Sequence, residues 1–250
     1  MGDEVLYEAG RVAWLTINRP EARNALSAAA RDGLAAGLGR FAEDGGAKVL
    51  VITGAGDQAF CAGADLKEMA AAGLKVPPPE YLPQVGGVAK PVIAAVNGVA
   101  YAGGFLLAQS CDLCIAADTA RFASSEVKVG RGAPWAAPLP WLIPPRVAMQ
   151  LLLTGDPITA RRAHEIGLVN EVVPATQLRA AAQAMAERIA ANAPLSVLAA
   201  KRTVSLVAEL PLSAARQAAD DIWEPVYLSA DAQEGPAAFR EKRPPVWQGR

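Results

Sequence analysis

Apolar residues come in short dense runs, separated by glycine, proline and polar clusters. Residues 5–7 and 12–17 predict two strands joined by a turn at Ala9, Gly10 and Arg11. Residues 18–24 form a polar loop containing Pro20, and Ser27 reads as the N-cap of an alanine-rich helix reaching about Phe41. Residues 48–53 predict a buried strand ended by Gly54, Ala55 and Gly56. A tight apolar loop comes next at 60–64, and Asp65 opens a short helix over 66–72. Residues 74–84 carry four prolines and no period, which predicts a surface loop. A second buried strand is expected at 91–97, then a glycine-containing turn at 98–104, an apolar helix at 105–110 and a third strand at 112–117. Residues 121–145 read as irregular, with five prolines from Pro134 to Pro145. Helices are expected at 147–153, 160–166 and 178–191, with a strand at 168–173. The last three helices, at 195–207, 212–228 and 231–239, precede a basic tail. Strands and helices alternate up to about residue 190, and only helices come after. That order predicts an α/β core over 1–190 and a helical region over 191–250. No internal sequence repeat stands out.

Composition supports a folded chain. Of 250 residues, 52% are hydrophobic and 20% charged, enough apolar material for a full core. Lys and Arg number 24 against 25 Asp and Glu. That balance lacks the basic bias of a nucleic-acid binder, so no nucleic-acid partner is expected. Met1, Gly2, Asp3 and Glu4 lack the features of a secretory signal, and apolar runs stop short of a membrane span. Three cysteines do not make a disulfide framework. The expected location is cytoplasmic, with no membrane partner.

Two segments repeat one design: a buried strand, a turn of small residues, a helix start. The first ends at Gly63, Ala64, Asp65 and Leu66, the second at Ala102, Gly103, Gly104 and Phe105. Small residues let backbone N–H groups approach a ligand, and a helix N-terminus adds unpaired donors. Two such donors aimed at one point would hold a developing oxyanion. Other candidates carry less. The CxxC at Cys111 and Cys114 starts an apparent strand, where residues three apart face opposite sides, so a redox or metal pair is not expected. His164 is the only histidine, and no GxSxG elbow supplies a serine for it. The GAG at 54–56 lacks the spacing of a nucleotide-binding loop.

The run FCAGADLKEM at 60–69 resembles the first signature of the crotonase superfamily, the enoyl-CoA hydratase/isomerase family. The run PVIAAVNGVAYAGG at 91–104 resembles its second, and NRPEARNALS at 18–27 its N-terminal CoA-contacting loop. Residues 153–156, 160–163 and 167–170 resemble its later core, and EGPAAFREKR at 234–243 its C-terminal end. The resemblance implies a crotonase-type (ClpP/crotonase-like) β-β-α spiral core and an acyl-CoA thioester substrate. Its oxygen would lie between the N–H groups of Ala64 and Gly103. No separate cofactor is expected, coenzyme A being part of the substrate. By the same resemblance Ala25, Ala62, Asp65 and Leu66 line the substrate site. Arg23 and Lys242 match places that bind CoA phosphates or adenine, or else are solvated charges. Trp223 matches an aromatic position over CoA, with core or interface packing an equal account. The C-terminal helices would mediate assembly into a trimer, or a hexamer of paired trimers.

One departure bears on the reaction. Family hydratases use two glutamates to hold one water. Leu106 stands at the first of these positions, and Glu126, in FASSE at 122–126, matches the second. One carboxylate beside an enolate hole suits moving a proton from one carbon to another, the chemistry of a Δ3,Δ2-enoyl-CoA isomerase. Hydration of a 2-enoyl-CoA, with Tyr101, Glu68 or ordered water replacing the missing acid, is the alternative. A CoA-binding or assembly protein without turnover is another. The segment after Glu126 also departs from the family's glycine-rich stretch. There Trp135 and Trp141 are expected to shape the acyl pocket, and Arg131 either binds a polar acyl group or faces solvent.

Overall fold

A computed structural model describes residues 4–71 and 85–250, apart from the Val207 side chain; most of the expected surface loop at 74–84 lies outside them. β-branched and leucine-rich runs form the larger sheet. β1 (Val5–Glu8) and β2 (Val12–Ile17) make an antiparallel hairpin, with Val5 opposite Ile17. β2 then pairs in parallel with β3 (Val49–Gly54). After β4 (Ala59–Cys61), the chain adds β5 (Val92–Val96) beside β3. After β6 (Val99–Tyr101), it adds β7 (Leu113–Ala117) beside β5. β8 (Arg121–Ala123) and β9 (Ile158–Thr159) come before β10 (Glu171–Val173), which closes the sheet in the order β1-β2-β3-β5-β7-β10. β5 is buried at every position, as expected of a parallel strand covered on both faces.

The short strands form a second sheet in the order β4-β6-β8-β9, with β4, β6 and β8 parallel. Ten α-helices complete the described residues. α1 (Ala28–Glu43) packs on the hairpin, and Ser27 caps it by accepting from the Ala30 N–H. α2 (Leu66–Ala71) comes after β4, and α3 (Gly103–Gln109) after β6. α4 (Leu139–Leu142), α5 (Pro145–Thr154) and α6 (Ala160–Glu165) lie between β8 and β10. α7 (Leu178–Ala190) lays Ala182, Ala186 and Ala190, one face at helical spacing, against β3, β5 and β7. α8 (Pro194–Glu209), α9 (Leu212–Tyr227) and α10 (Ala230–Glu241) complete the C-terminal region.

The core is a spiral of repeated β-β-α units. β3, β4 and α2 make one unit; β5, β6 and α3 make the next. β7 and β8 begin a third, which continues into a helical turn at Glu126–Val129 instead of a long helix. Each unit crosses from the larger sheet to the smaller at the C-terminal end of a parallel strand. The chain segments after β4, β6 and β8 therefore emerge side by side along one edge.

Several sequence expectations change. The smaller sheet was not anticipated, because strands of two or three residues are too short to show a period. The loop expected at 60–64 contains the end of β4, and the turn expected at 98–104 contains β6. The strand expected at 168–173 starts only at Glu171. Gly167 turns the chain (φ 85°), and the Leu168 and Val169 N–H groups return to the Ala163 carbonyl. The irregular stretch 121–145 holds β8, two 3₁₀ turns and α4. α5 begins at Pro145, earlier than expected, because proline suits the first helical position. Cys111 precedes β7, so it and Cys114 do not share a strand.

Candidate active site

Ala64, Gly103 and Glu126 occupy corresponding places in the three units: each lies two or three residues past the end of its short strand. Neighbouring strands are ~5 Å apart, so the spiral itself brings these residues to one edge. The Ala102 N–H donates to the Ala123 carbonyl at 2.9 Å, tying the second unit to the third. The first two turns also touch. A methyl group built on Gly63 would lie 2.9 Å from Ala102 Cβ and 3.4 Å from the Gly103 nitrogen.

The first turn is held by polar contacts. Leu26 brackets Ala64: its N–H donates to the Gly63 carbonyl at 2.8 Å, and its carbonyl accepts from the Asp65 N–H at 3.2 Å. In a parallel bridge this pattern turns the N–H of the residue between to the opposite side. The Ala64 N–H thus points away from Leu26, and no acceptor for it occurs among the described residues. Arg19 fixes the bracket from below. Its guanidinium donates to Asp65 Oδ2 at 3.0 Å and to the Ala25 carbonyl at 2.6 Å, and pairs with Glu4 at 3.3 Å. Asp65 Oδ1 accepts from the Lys67 and Glu68 N–H groups and so caps α2. Burial alone would raise the Asp65 pKa. The Arg19 side chain and those two N–H groups outweigh it and hold the carboxyl below its ordinary value.

Asn24 anchors the same loop. It is fully buried with φ 55°, a left-handed conformation that asparagine tolerates better than most residues. Its side chain donates to the Ala55 and Ala59 carbonyls at 2.9 and 2.7 Å and accepts from the Arg19 N–H at 2.9 Å. The Arg23 carbonyl accepts from the Ala62 N–H at 3.1 Å. The loop at 18–27 is thus bonded directly to the first signature.

The second turn is held by strain and close packing. Ala102 has φ 50° and ψ −119°, a region a residue with a Cβ occupies only when its surroundings force it. This sharp bend ends β6 and starts α3 at once. The Gly103 N–H opens the helix, without a partner in the preceding turn. Gly104 has no room for a side chain: a Cβ there would lie 2.0 Å from the Cys61 carbonyl oxygen. Phe105 is fully buried and stands edge-on to Phe122 and to Trp135, with ring centroids 6.1 Å apart in each pair.

Glu126 is buried at the third position. Its Oε2 accepts from the Ser124 hydroxyl at 3.0 Å. Burial raises its pKa, and its own backbone N–H, Ser124 and Trp135 partly counter that rise. Among the described residues the only other buried carboxylate is Asp231, whose oxygens accept from the Gln248 and Gly249 N–H groups in the C-terminal region. Leu106 is half-buried on α3, one turn beyond Gly103. The edge therefore brings together two N–H donors without a partner among the described residues and one buried carboxyl whose pKa is raised.

The other residues singled out from sequence are spread across the molecule. Glu68 is engaged elsewhere, its carboxylate accepting from the Ala28 N–H at the start of α1 at 2.9 and 3.2 Å. Leu66 is exposed on α2. Trp135 joins the wall beside Glu126, whereas Trp141 is 71% exposed on α4. The Arg131 N–H donates to the Glu126 carbonyl at 3.0 Å. Trp223 donates from its indole to Thr203 Oγ at 2.9 Å and so links α9 to α8. Lys242 ends α10 in a left-handed conformation, exposed. His164 Nδ1 lies 2.9 Å from the Val169 carbonyl, a local bond. Burial pushes the Cys114 thiol up to about 12, which keeps it protonated. Arg19, Asn24 and Ser124 were not singled out. Arg19 and Asn24 stand in a run already marked by its likeness to the family; Ser124 left no signal beyond standing two residues before Glu126.

Comparison with known proteins identifies the family and the fold. The family model described as enoyl-CoA hydratase/isomerase matches residues 8–250. The chain is 40% identical over 253 residues to (E)-benzylidenesuccinyl-CoA hydratase of Thauera aromatica, covering 98% of each. It is 38% identical over 258 residues to carnitinyl-CoA dehydratase of Proteus mirabilis, again covering 98% of each. Among solved structures, the enoyl-CoA hydratase EchA1 of Mycobacterium marinum superposes with a TM-score of 0.91 at 42% identity, over 99% of this chain and 100% of that one. An enoyl-CoA hydratase/isomerase of Mycobacterium paratuberculosis superposes with a TM-score of 0.93 at 34% identity, over the whole of both chains. The mixed α/β spiral with its paired signature turns therefore belongs to the enoyl-CoA hydratase/isomerase family, within the crotonase superfamily.

Proposed function

We propose that the chain acts on an acyl-CoA thioester through an enolate held by the Ala64 and Gly103 N–H groups, with Glu126 as its one acid/base. The observation that carries this reading is the pairing of a buried Glu126 with an apolar Leu106 across the two unpartnered N–H groups. In the preferred reaction the substrate is a 3-enoyl thioester. Glu126 takes a proton from C2; the electrons of that C–H bond form a C1–C2 double bond, and charge moves to the thioester oxygen. The two N–H dipoles stabilise that charge where it develops. Glu126 then returns the proton to C4, the double bond settles between C2 and C3, and the thioester carbonyl re-forms. No proton or electron is gained or lost. Burial that raises the pKa of Glu126 suits this work, because the same group must both take and give a proton near neutrality.

Hydration of a 2-enoyl-CoA is the second reading, favoured by the names of the hydratase and dehydratase relatives. It requires a second proton carrier in place of Leu106. Tyr101 or ordered water remains for that role, Glu68 being occupied at α1. Arg23 and Lys242 would meet the CoA phosphates, with Ala25, Ala62, Asp65 and Leu66 along the path to the thioester. Exposed Leu212, Tyr227, Leu228 and Phe239 on the C-terminal helices and the turn after α9 support assembly of the chain as a trimer or a pair of trimers.

The test offers purified protein a 3-enoyl-CoA and a 2-enoyl-CoA, with Glu126→Gln as control and products separated by chromatography. Isomerisation abolished by the substitution is the expected result. Efficient hydration without isomerisation would establish the second reading. Tight CoA binding with neither reaction would support a chain without turnover.

A further inference from the structure

Arg131 is half-buried, and one nitrogen of its guanidinium has nothing to meet it. Its Nη2 is shielded from solvent and has no hydrogen-bond partner among the described residues. No carboxylate lies within ion-pair distance of it among those residues either. A guanidinium keeps its charge throughout the physiological range, and withdrawing such a donor from water without an acceptor is costly. Protein side chains in this position ordinarily find a carboxylate, a carbonyl or a bound anion.

The backbone places this charge in the loop that wraps Glu126. Gly130 turns the chain with φ 64°, and the Arg131 N–H donates to the Glu126 carbonyl. Four residues later Trp135 comes back to the Glu126 side chain and to Phe105. Both ends of the loop thus touch Glu126, the carboxyl assigned above to proton transfer. The guanidinium is nevertheless not paired with Glu126. A pair would hold that carboxyl ionised and low, whereas it is raised. The positive charge is kept apart from the acid and left free for a second anion.

We propose that Arg131 binds a carboxylate at the far end of the acyl group, which makes the substrate class the CoA half-thioesters of dicarboxylic acids. This rests on the acyl-CoA reading above. A carboxylate matches the fork of a guanidinium and would satisfy the shielded nitrogen.

Binding of unreactive saturated thioesters tests it without turnover. Butyryl-, pentanoyl- and hexanoyl-CoA are each compared with succinyl-, glutaryl- and adipoyl-CoA by calorimetric titration of wild type, Arg131→Leu and Arg131→Lys. At one chain length or more, wild type is expected to prefer the dicarboxylic partner by roughly tenfold or more, the size of a charge-assisted hydrogen bond. Arg131→Leu should lose that preference while binding the monocarboxylic thioester as before, and Arg131→Lys should keep part of it. Equal binding of both kinds by wild type at every length overturns the proposal and leaves the acyl-CoA reading intact. Equal weakening of both kinds in Arg131→Leu also overturns it, since the guanidinium would then meet the CoA portion. A change in oligomer mass with the preference retained overturns it in favour of a contact between subunits. Failure of every CoA ester to bind would sink the acyl-CoA reading itself.

Discussion

Ala64 and Gly103 each present one free backbone N–H, yet the chain holds their turns by opposite means. The Ala64 turn is fastened by side-chain polar groups. Arg19 reaches Asp65 and the Ala25 carbonyl, and Asn24 spans two further carbonyls. The Gly103 turn is fastened by shape, with Ala102 in a sparsely populated conformation and Gly104 pressed on the Cys61 carbonyl. A polar clamp yields gradually, because water can replace part of it. Close packing yields all at once, because the obstacle is backbone.

Gly104→Ala attacks the packed turn directly and should have the largest effect. A Cβ 2.0 Å from a backbone oxygen cannot be absorbed by a rotamer change. Stability should fall by ~3 kcal/mol or more, read as a lower melting temperature and poor soluble yield. A variant that melts with wild type would show that the turn is not set by packing. Glu126→Gln leaves both turns alone and should lower turnover by ~10²- to 10⁴-fold. Its stability should move the other way. A carboxyl whose pKa is raised in the fold contributes most below the ordinary carboxylate range, and loses that contribution as pH rises through its folded value. At neutral pH the amide variant should therefore melt above wild type; a lower melting point would contradict the burial argument.

Arg19→Met loosens the polar clamp without adding bulk. The protein should stay folded while kcat falls by ~10-fold, about what one charge-assisted contact contributes. An undisturbed kcat would mean that Leu26 alone aims the Ala64 N–H. The clamp also has a pH signature. Because the Asp65 pKa is held below its ordinary 3.8, its contribution is present above that value and is lost as pH falls through the folded value. Denaturant titrations of wild type and Asp65→Asn should converge as the pH drops through this range. The smallest change is expected from Trp223→Phe, which deletes the bond to Thr203 and should cost ~1 kcal/mol of stability with turnover intact. A clear fall in turnover would instead place the indole against substrate.

The two turns were equally legible, and only in part. Small residues between a buried strand and a helix start marked both, because close backbone approach demands such residues in any sequence. What holds each turn was hidden. The Arg19 clamp joins residues 46 positions apart, a contact no local pattern encodes. The positive φ of Ala102 was invisible because alanine carries no turn preference of its own; the strain comes from tertiary surroundings. The larger sheet was readable from runs such as 92–96, buried at every position. The smaller sheet was not, since its strands are too short for alternation. Residue patterns marked only two of the three units, at 63–66 and 102–105, and the β-β-α spiral was expected solely from likeness to a family. Glu126 was found only by likeness to a family, since a lone glutamate has no pattern.

Leu106 sits on α3, past the donor that opens it and apart from the unit that supplies Glu126. Under the proposed mechanism, activation of the substrate and the fate of the activated species would thus be carried by separable parts of the spiral. On that mechanism a lineage would exchange the side chain at this one helical position and redirect a common intermediate, while the costly geometry that creates the intermediate is inherited unchanged. Diversity of reaction within such a scaffold then needs few substitutions, and each can be tried by selection without first risking the fold.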